Sequence, residues 1–115
     1  MLNFSETNKT NNAVKSKEVI KQEMSQFIEN NNGTDINYSK WYVGITDDPQ
    51  RRLFQEHKVK KEEGPWIYRQ CSNCSIAREV EEYLLAKYKT DGGNGGGNNS
   101  TIYVYAYKKK SYTNP

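Results

Sequence analysis

The sequence predicts an α/β (α+β) domain in which helices flank a sheet of about three strands. Three observations lead there: a helix-period apolar stripe early in the chain, two short apolar runs closed by turn residues, and a period-two stripe near its end. Val19, Ile20, Met24, Phe27 and Ile28 recur at spacings that share one helix face. Ser16 is placed to cap that helix, and Asn30-Asn31-Asn32-Gly33 to end it, because Asn and Gly tolerate the left-handed conformation. A strand follows over about 38–45. Asp48 then reads as an N-cap and Pro49 as the first residue of a helix to about Lys61, since proline lacks a donor that would go unpaired there. Glu63-Gly64-Pro65 breaks the chain before a second strand, W-I-Y-R-Q-C. A helix over 75–88 is the clearest of all. The run D-G-G-N-G-G-G-N-N-S (91–100) reads as a loop without regular structure. T-I-Y-V-Y-A-Y (101–107) reads as a strand with Tyr103, Tyr105 and Tyr107 on one face. The expected order is α-β-α-β-α-β, with residues 1–15 as a flexible N-terminus, 16–110 as one domain and 111–115 as a tail.

Composition narrows the class. Ile, Leu, Val and Phe make only 20 of the 115 residues, below the roughly 20% under which chains approach disorder. Nine Tyr and two Trp compensate, which implies a small core of aromatic bodies whose polar ends reach its edge. No apolar run approaches the roughly 20 residues needed to cross a bilayer, and no signal peptide opens the chain. The expectation is a cytoplasmic, intracellular protein with no membrane partner. The net charge of +3 and pI near 8.8 permit nucleic-acid binding without demanding it, since dedicated DNA-binding domains usually exceed a pI of about 9. Lys58, Lys60 and Lys61, and Lys108, Lys109 and Lys110, are either solvated element ends or a phosphate-facing surface.

Among candidate functional residues, Glu81 is the most pointed. At about 100° per residue, Tyr83, Ile76, Val80, Leu84, Tyr88 and Leu85 define an apolar arc on the third helix that includes Glu81 and leaves Glu79 and Glu82 outside. A carboxylate on a buried face needs a cation or a metal ion, because an unpaired buried charge is expensive; the alternative is a rim residue reaching water. Cys71 and Cys74 form a C-S-N-C ahead of that helix, where a redox dithiol would sit. Neither a proline downstream nor enough histidines support redox or zinc chemistry, so two packed thiols are expected. The glycine run lacks the lysine and following helix of a phosphate loop. The tyrosine stripe could stack bases or fill the core. His57 shares a face with Leu53 and Phe54 and reads first as a core histidine.

Taken in order, these pieces resemble the GIY-YIG nuclease family. Tyr42-Val43-Gly44 stands where that family has its second motif, Arg52 follows Gly44 where the family has a helix-opening arginine, and Ala77, Glu81, Leu84 and Leu85 match the stretch bearing its metal-binding glutamate. The resemblance covers about residues 38–107. No G-I-Y strand precedes the motif, and Tyr38 stands nearest to the missing tyrosine. Glu56 occupies the place of the family's histidine or tyrosine, with His57 one position later. Asn94, Asn98 and Asn99 are candidates for its later asparagine. The resemblance implies cleavage of nucleic-acid phosphodiester bonds, with DNA as the expected partner and Mg²⁺ or Mn²⁺ held by Glu81. Arg52 would stabilise phosphorane charge, and Tyr42, with Tyr38 or His57, would orient or deprotonate water. The alternative it leaves open is a catalytically degenerate domain that binds nucleic acid or a nucleotide-like ligand. Either would suit a homodimer or a partner protein.

Overall fold

The structure, a computed structural model, describes residues 14–93 and 97–115. It is an α+β domain with a four-stranded mixed sheet. Helix α1, Lys17–Asn30, opens as expected, with the Ser16 side chain accepting from the Val19 amide. Strand β1, Trp41–Thr46, pairs along its whole length with the antiparallel strand β4, Tyr103–Lys108. Strand β2, Trp66–Gln70, joins the other side of β4, also antiparallel. Helix α2, Cys74–Tyr88, is capped by the Asn73 side chain and ends at Lys89 in the left-handed conformation. Strand β3 is only Asp91–Gly92 and runs parallel to β1. The strand order is β2-β4-β1-β3.

Three expectations are corrected. The sheet has four strands rather than three, because Asp91-Gly92 inside the glycine-rich run pairs with β1. A Cβ on Gly92 would lie 1.9 Å from the Val43 carbonyl oxygen, so only glycine allows that approach. The first strand starts at Trp41, since Tyr38 belongs to the turn before it. The helix expected over 49–61 starts at Pro49 but stops at Glu56, and its residues Arg51–Glu56 form a π-helical turn whose wide bond runs from the His57 amide to the Arg52 carbonyl (2.9 Å). Its start was legible, for Asp48 Oδ1 accepts from the Arg51 amide at 3.1 Å. Residues 111–114, within the segment assigned as a tail, fold back so that the Asn114 amide donates to the His57 carbonyl at 2.7 Å. Residues 1–13, most of the segment expected to be flexible, lie outside the described residues.

Strand alternation divides the side chains between two faces. Trp41, Val43 and Ile45 of β1, with Ile67, Val104 and Ala106, meet Ile20, Met24, Ile28, Ala77, Val80 and Leu84 of the helices. On the opposite face Tyr42, Tyr105 and Tyr107 pack with Leu53 and Val59 from the π turn and the segment after it. The second layer is built on tyrosines, whereas the helix-side layer is mostly aliphatic around Trp41 and Tyr88. Among the described residues no helix is long and apolar enough to cross a membrane.

The Trp41 indole is fully buried and donates to Asn32 Oδ1 at 3.0 Å. The Asn32 amide in turn donates to the carbonyls of Asp35 and Asn37, at 3.1 and 3.0 Å, which closes the turn entering β1. Asn32→Ala leaves that indole N–H unpaired in the core and is expected to cost about 1–3 kcal/mol. Urea unfolding measures it; an unchanged midpoint would show that the pair does not hold the turn.

Candidate active site

Strand β3 stops at Gly92, so among the described residues Gly44 to Thr46 have no strand neighbour on that edge of β1. The candidate site lies at this gap. Tyr42 and Gly44 come from β1, Tyr105 from β4, Arg52 from the π turn, Glu81 from α2 and Gly93 from the turn after β3. With Ile45 they line a cavity of about 40 Å³. A neighbouring cavity of about 200 Å³ shares Ile45 and Arg52 and adds Thr46, Asp47, Asn98 and Thr101. Arg52 therefore stands between two polar hollows.

The π turn sorts its two arginines. Arg51 points outward, with ion pairs to Asp47 (2.8 Å) and Glu56 (2.9 Å). Arg52 points inward. Its Nε is buried and 2.8 Å from Glu56 Oε1, yet makes no aligned hydrogen bond. A π-helical segment is uncommon and recurs at functional positions; here the wider turn carries Arg52 over the β1–β4 pair.

Tyr105 was missed as a site residue. Its hydroxyl covers Gly44, where a Cβ would come within 2.6 Å of that oxygen. The signal was the period-two tyrosine stripe, but only the register, which sets Tyr105 opposite Gly44, turns a stripe into a site. His57 Nε2 lies 2.7 Å from the Tyr105 hydroxyl, and His57 Nδ1 lies 2.9 Å from the Asn114 carbonyl and 3.0 Å from the Tyr107 hydroxyl. His57 is thus a buried histidine, as expected, and also linked to the cavity through Tyr105. Tyr42 stacks on Tyr107, with centroids 5.4 Å apart, and tilts against His57 at 4.6 Å.

Burial governs the electrostatics. It pushes the Tyr42, Tyr105 and Tyr107 phenols above their ordinary range, with Arg52 opposing the shift at Tyr42 and Tyr105. Burial also lowers the His57 pKa below 6.5, aided by Arg52 and opposed by the Asn114 carbonyl and Glu56. At neutral pH the site therefore holds neutral phenols, a neutral imidazole and a guanidinium. Glu81, 4% exposed, is pushed above the ordinary carboxylate value of 4.5 by burial, with Arg78 opposing and Glu82 adding to the shift.

The other sequence candidates go elsewhere. Tyr38 packs against Tyr88, with centroids 4.7 Å apart, in the helix-side core, and so is not brought to the cavity. Its position before β1 turns it to the wrong layer. Asn98 lines the larger cavity, Asn99 Oδ1 accepts from Cys74 Sγ at 3.8 Å, and Asn94 lies outside the described residues. Both cysteines are free. Cys71 is in the helix-side core, where burial pushes its thiol up to about 11, as a packing role requires. Of the lysines, Lys108 and Lys109 are engaged by Asp35 (3.8 Å) and Asp91 (3.0 Å). Lys58, Lys60, Lys61 and Lys110 are exposed, with Lys60 over the Tyr112 ring and Lys61 over the Phe54 ring.

The chain matches no protein-family model, no curated protein and no solved structure. What the site can do must be read from its own chemistry: a fixed cation, a buried carboxylate and a phenol backed by an imidazole, all facing a polar gap.

A raised carboxylate pKa has a stability consequence of defined sign. The folded state binds a proton at Glu81 more tightly than the unfolded chain, so stability falls as pH rises from 4.5 through the folded value. Glu81→Gln removes that penalty. It is expected to raise the urea midpoint at pH 7, with the difference closing as pH drops below the ordinary carboxylate range. An equal or lower midpoint at pH 7 would mean that Glu81 is compensated within the fold.

Thiol accessibility gives a second check. At pH 8, where a thiol near pKa 11 is almost wholly protonated, Cys71 is expected to react with a thiol reagent at least tenfold more slowly than Cys74. Equal rates would contradict the packing role.

Proposed function

We propose that this chain is a GIY-YIG-like endonuclease domain that cleaves nucleic-acid phosphodiester bonds with a divalent metal ion, and that DNA is its substrate. One observation carries the proposal: Tyr42, Arg52 and Glu81, from three separate elements, line one cavity together with Tyr105. The pairing of β4 beside Tyr42-Val43-Gly44 also supports it. That arrangement fits a domain whose tyrosine-bearing partner strand follows the motif instead of preceding it.

Glu81 fits a ligand of Mg²⁺ or Mn²⁺. Its carboxylate is buried and lines the cavity. Mg²⁺ typically keeps several waters and takes one or two carboxylates plus substrate phosphate. A single glutamate suffices for that mode, although among the described residues no group of three acidic, His or Cys side chains could cage an ion. Bound there, the ion would supply Lewis-acid stabilisation of the charge that develops on the phosphate.

The chain's own groups divide the remaining work. Arg52 sets a permanent positive charge beside the phosphorus, where loss of such a donor commonly slows a reaction about 10²-fold or more. A water at the Tyr105 hydroxyl gives its proton to the phenol oxygen as the phenol proton passes to His57 Nε2. The phenol stays neutral overall, which suits a residue whose anion is disfavoured by burial. Tyr42 orients the water, and exposed Lys58, Lys60 and Lys61 hold backbone phosphates, so affinity falls with salt.

Cleavage of duplex, single-stranded and branched DNA with Mg²⁺ or Mn²⁺ tests the proposal. Glu81→Gln is expected to lower cleavage by about 10² or more with affinity within a few-fold. Arg52→Ala is expected to lower cleavage comparably and also to weaken binding. The rate should fall on the acid side with a midpoint below 6.5, as His57 becomes protonated. A wild-type protein inert on all three substrates, whose ligand binding nevertheless weakens in Arg52→Ala, would replace the enzyme with a binder of nucleic acid or of a nucleotide-like ligand.

A further inference from the structure

We propose that Asn114 is a positioning residue that selects the tautomer of His57 and thereby the direction of the Tyr105 hydroxyl; its consequence for catalysis rests on the nuclease reading, but the tautomer does not. The Asn114 backbone clamps His57 twice. Its amide donates to the His57 carbonyl at 2.7 Å, and its carbonyl lies 2.9 Å from His57 Nδ1. A carbonyl oxygen can only accept, so Nδ1 carries the hydrogen. A neutral imidazole has one N–H, so Nε2 is left as an acceptor and must receive the Tyr105 O–H across their 2.7 Å contact. Tyr107, 3.0 Å from Nδ1, is then a second acceptor for the same hydrogen. The lone pairs of Tyr105, and not its proton, are turned towards Arg52 and the cavity.

Without the Asn114 carbonyl, the opposite arrangement is equally well bonded. Tyr107 can donate to Nδ1, and a hydrogen on Nε2 can donate to the Tyr105 oxygen. The Tyr105 proton would then have no acceptor at His57, and the path for a water proton would be closed. The segment is held in place away from His57 as well: Tyr112 donates to Glu63 at 3.0 Å, Lys60 lies 4.3 Å from the centre of the Tyr112 ring, and the Lys110 amide donates to Thr113 Oγ1 at 3.0 Å. The groups facing His57 are Tyr42, Tyr105 and Tyr107 from the sheet, the charges of Arg52 and Glu56 from the π turn, and Asn114. Of these, Asn114 alone offers a pure acceptor to Nδ1.

The chain has a single histidine, so the ring nitrogens of ¹⁵N-labelled protein report on His57 directly. Wild type and Asn114→Ala, which keeps the backbone clamp, are expected to show hydrogen on Nδ1 at neutral pH. Asn114→Pro, which removes the amide donor, and a chain shortened by residues 114–115 are expected to shift towards the Nε2–H form. Their His57 titration should differ from that of wild type, because the carbonyl at Nδ1 is displaced, and cleavage should fall about tenfold or more. Wild type carrying its hydrogen on Nε2 overturns the proposal outright. So does either folded variant that keeps Nδ1–H and an unchanged His57 titration. A tautomer shift in a protein that cleaves nothing would leave the positioning role standing and sink the nuclease reading.

Discussion

The pairing of β1 with β4 is the contact on which the rest of the molecule depends. It joins Trp41–Thr46 to Tyr103–Lys108 without interruption, and every layer is built upon it. On one side it presents Trp41, Val43, Ile45, Val104 and Ala106 to the helices; on the other it presents Tyr42, Tyr105 and Tyr107 to the π turn. Because the period is two, a slip by one residue would exchange these faces and strand the tyrosine hydroxyls in the apolar layer. Turn chemistry cannot set this register, since the two strands are far apart in sequence. It is set by burial on both faces and by the indole of Trp41, tied to Asn32.

The candidate site is a consequence of where pairing stops. Among the described residues β3 ends at Gly92 and leaves Gly44 to Thr46 unpaired on that edge, where a longer β3 would cover them. The glycine at 44 then lets the Tyr105 hydroxyl come down onto the backbone, which puts a polar group at the centre of an otherwise covered face. The site is also where the fold tolerates its costs. A carboxylate 4% exposed whose pKa burial pushes up, and a guanidinium Nε buried without an aligned partner, both oppose stability, and such costs tend to gather at functional positions.

The π turn and the last residues act together on the tyrosine face. Lys58 takes a left-handed φ of 63°, which ends the turn and sends Val59 back into the tyrosine layer. His57 is left at the junction, with its ring among three phenols and its backbone paired to Asn114. A shortened helix and an ordered tail are thus parts of one arrangement, in which the histidine is fixed from both the ring and the main chain.

Local chemistry in the sequence determined much of this. The caps at Ser16 and Asp48, the apolar faces of α1 and α2, the burial of Glu81 and the one-sided tyrosine stripe all depend on contacts within a few residues, where spacing alone decides the outcome. The positions of Tyr42, Arg52 and Glu81 in a common cavity were legible only through the order of short motifs. Tertiary structure alone decided the rest. Asp91-Gly92 became a strand because Gly92 can approach Val43, a contact invisible in a glycine-rich run. Tyr38 turned into the helix-side core because β1 begins after it, and Tyr105 entered the site because register set it against Gly44. Asn114 reached His57 because β4 returns the chain beside the π turn. Each of these depends on which distant segments pair, and that is settled by the burial of both sheet faces at once rather than by any residue's own preference.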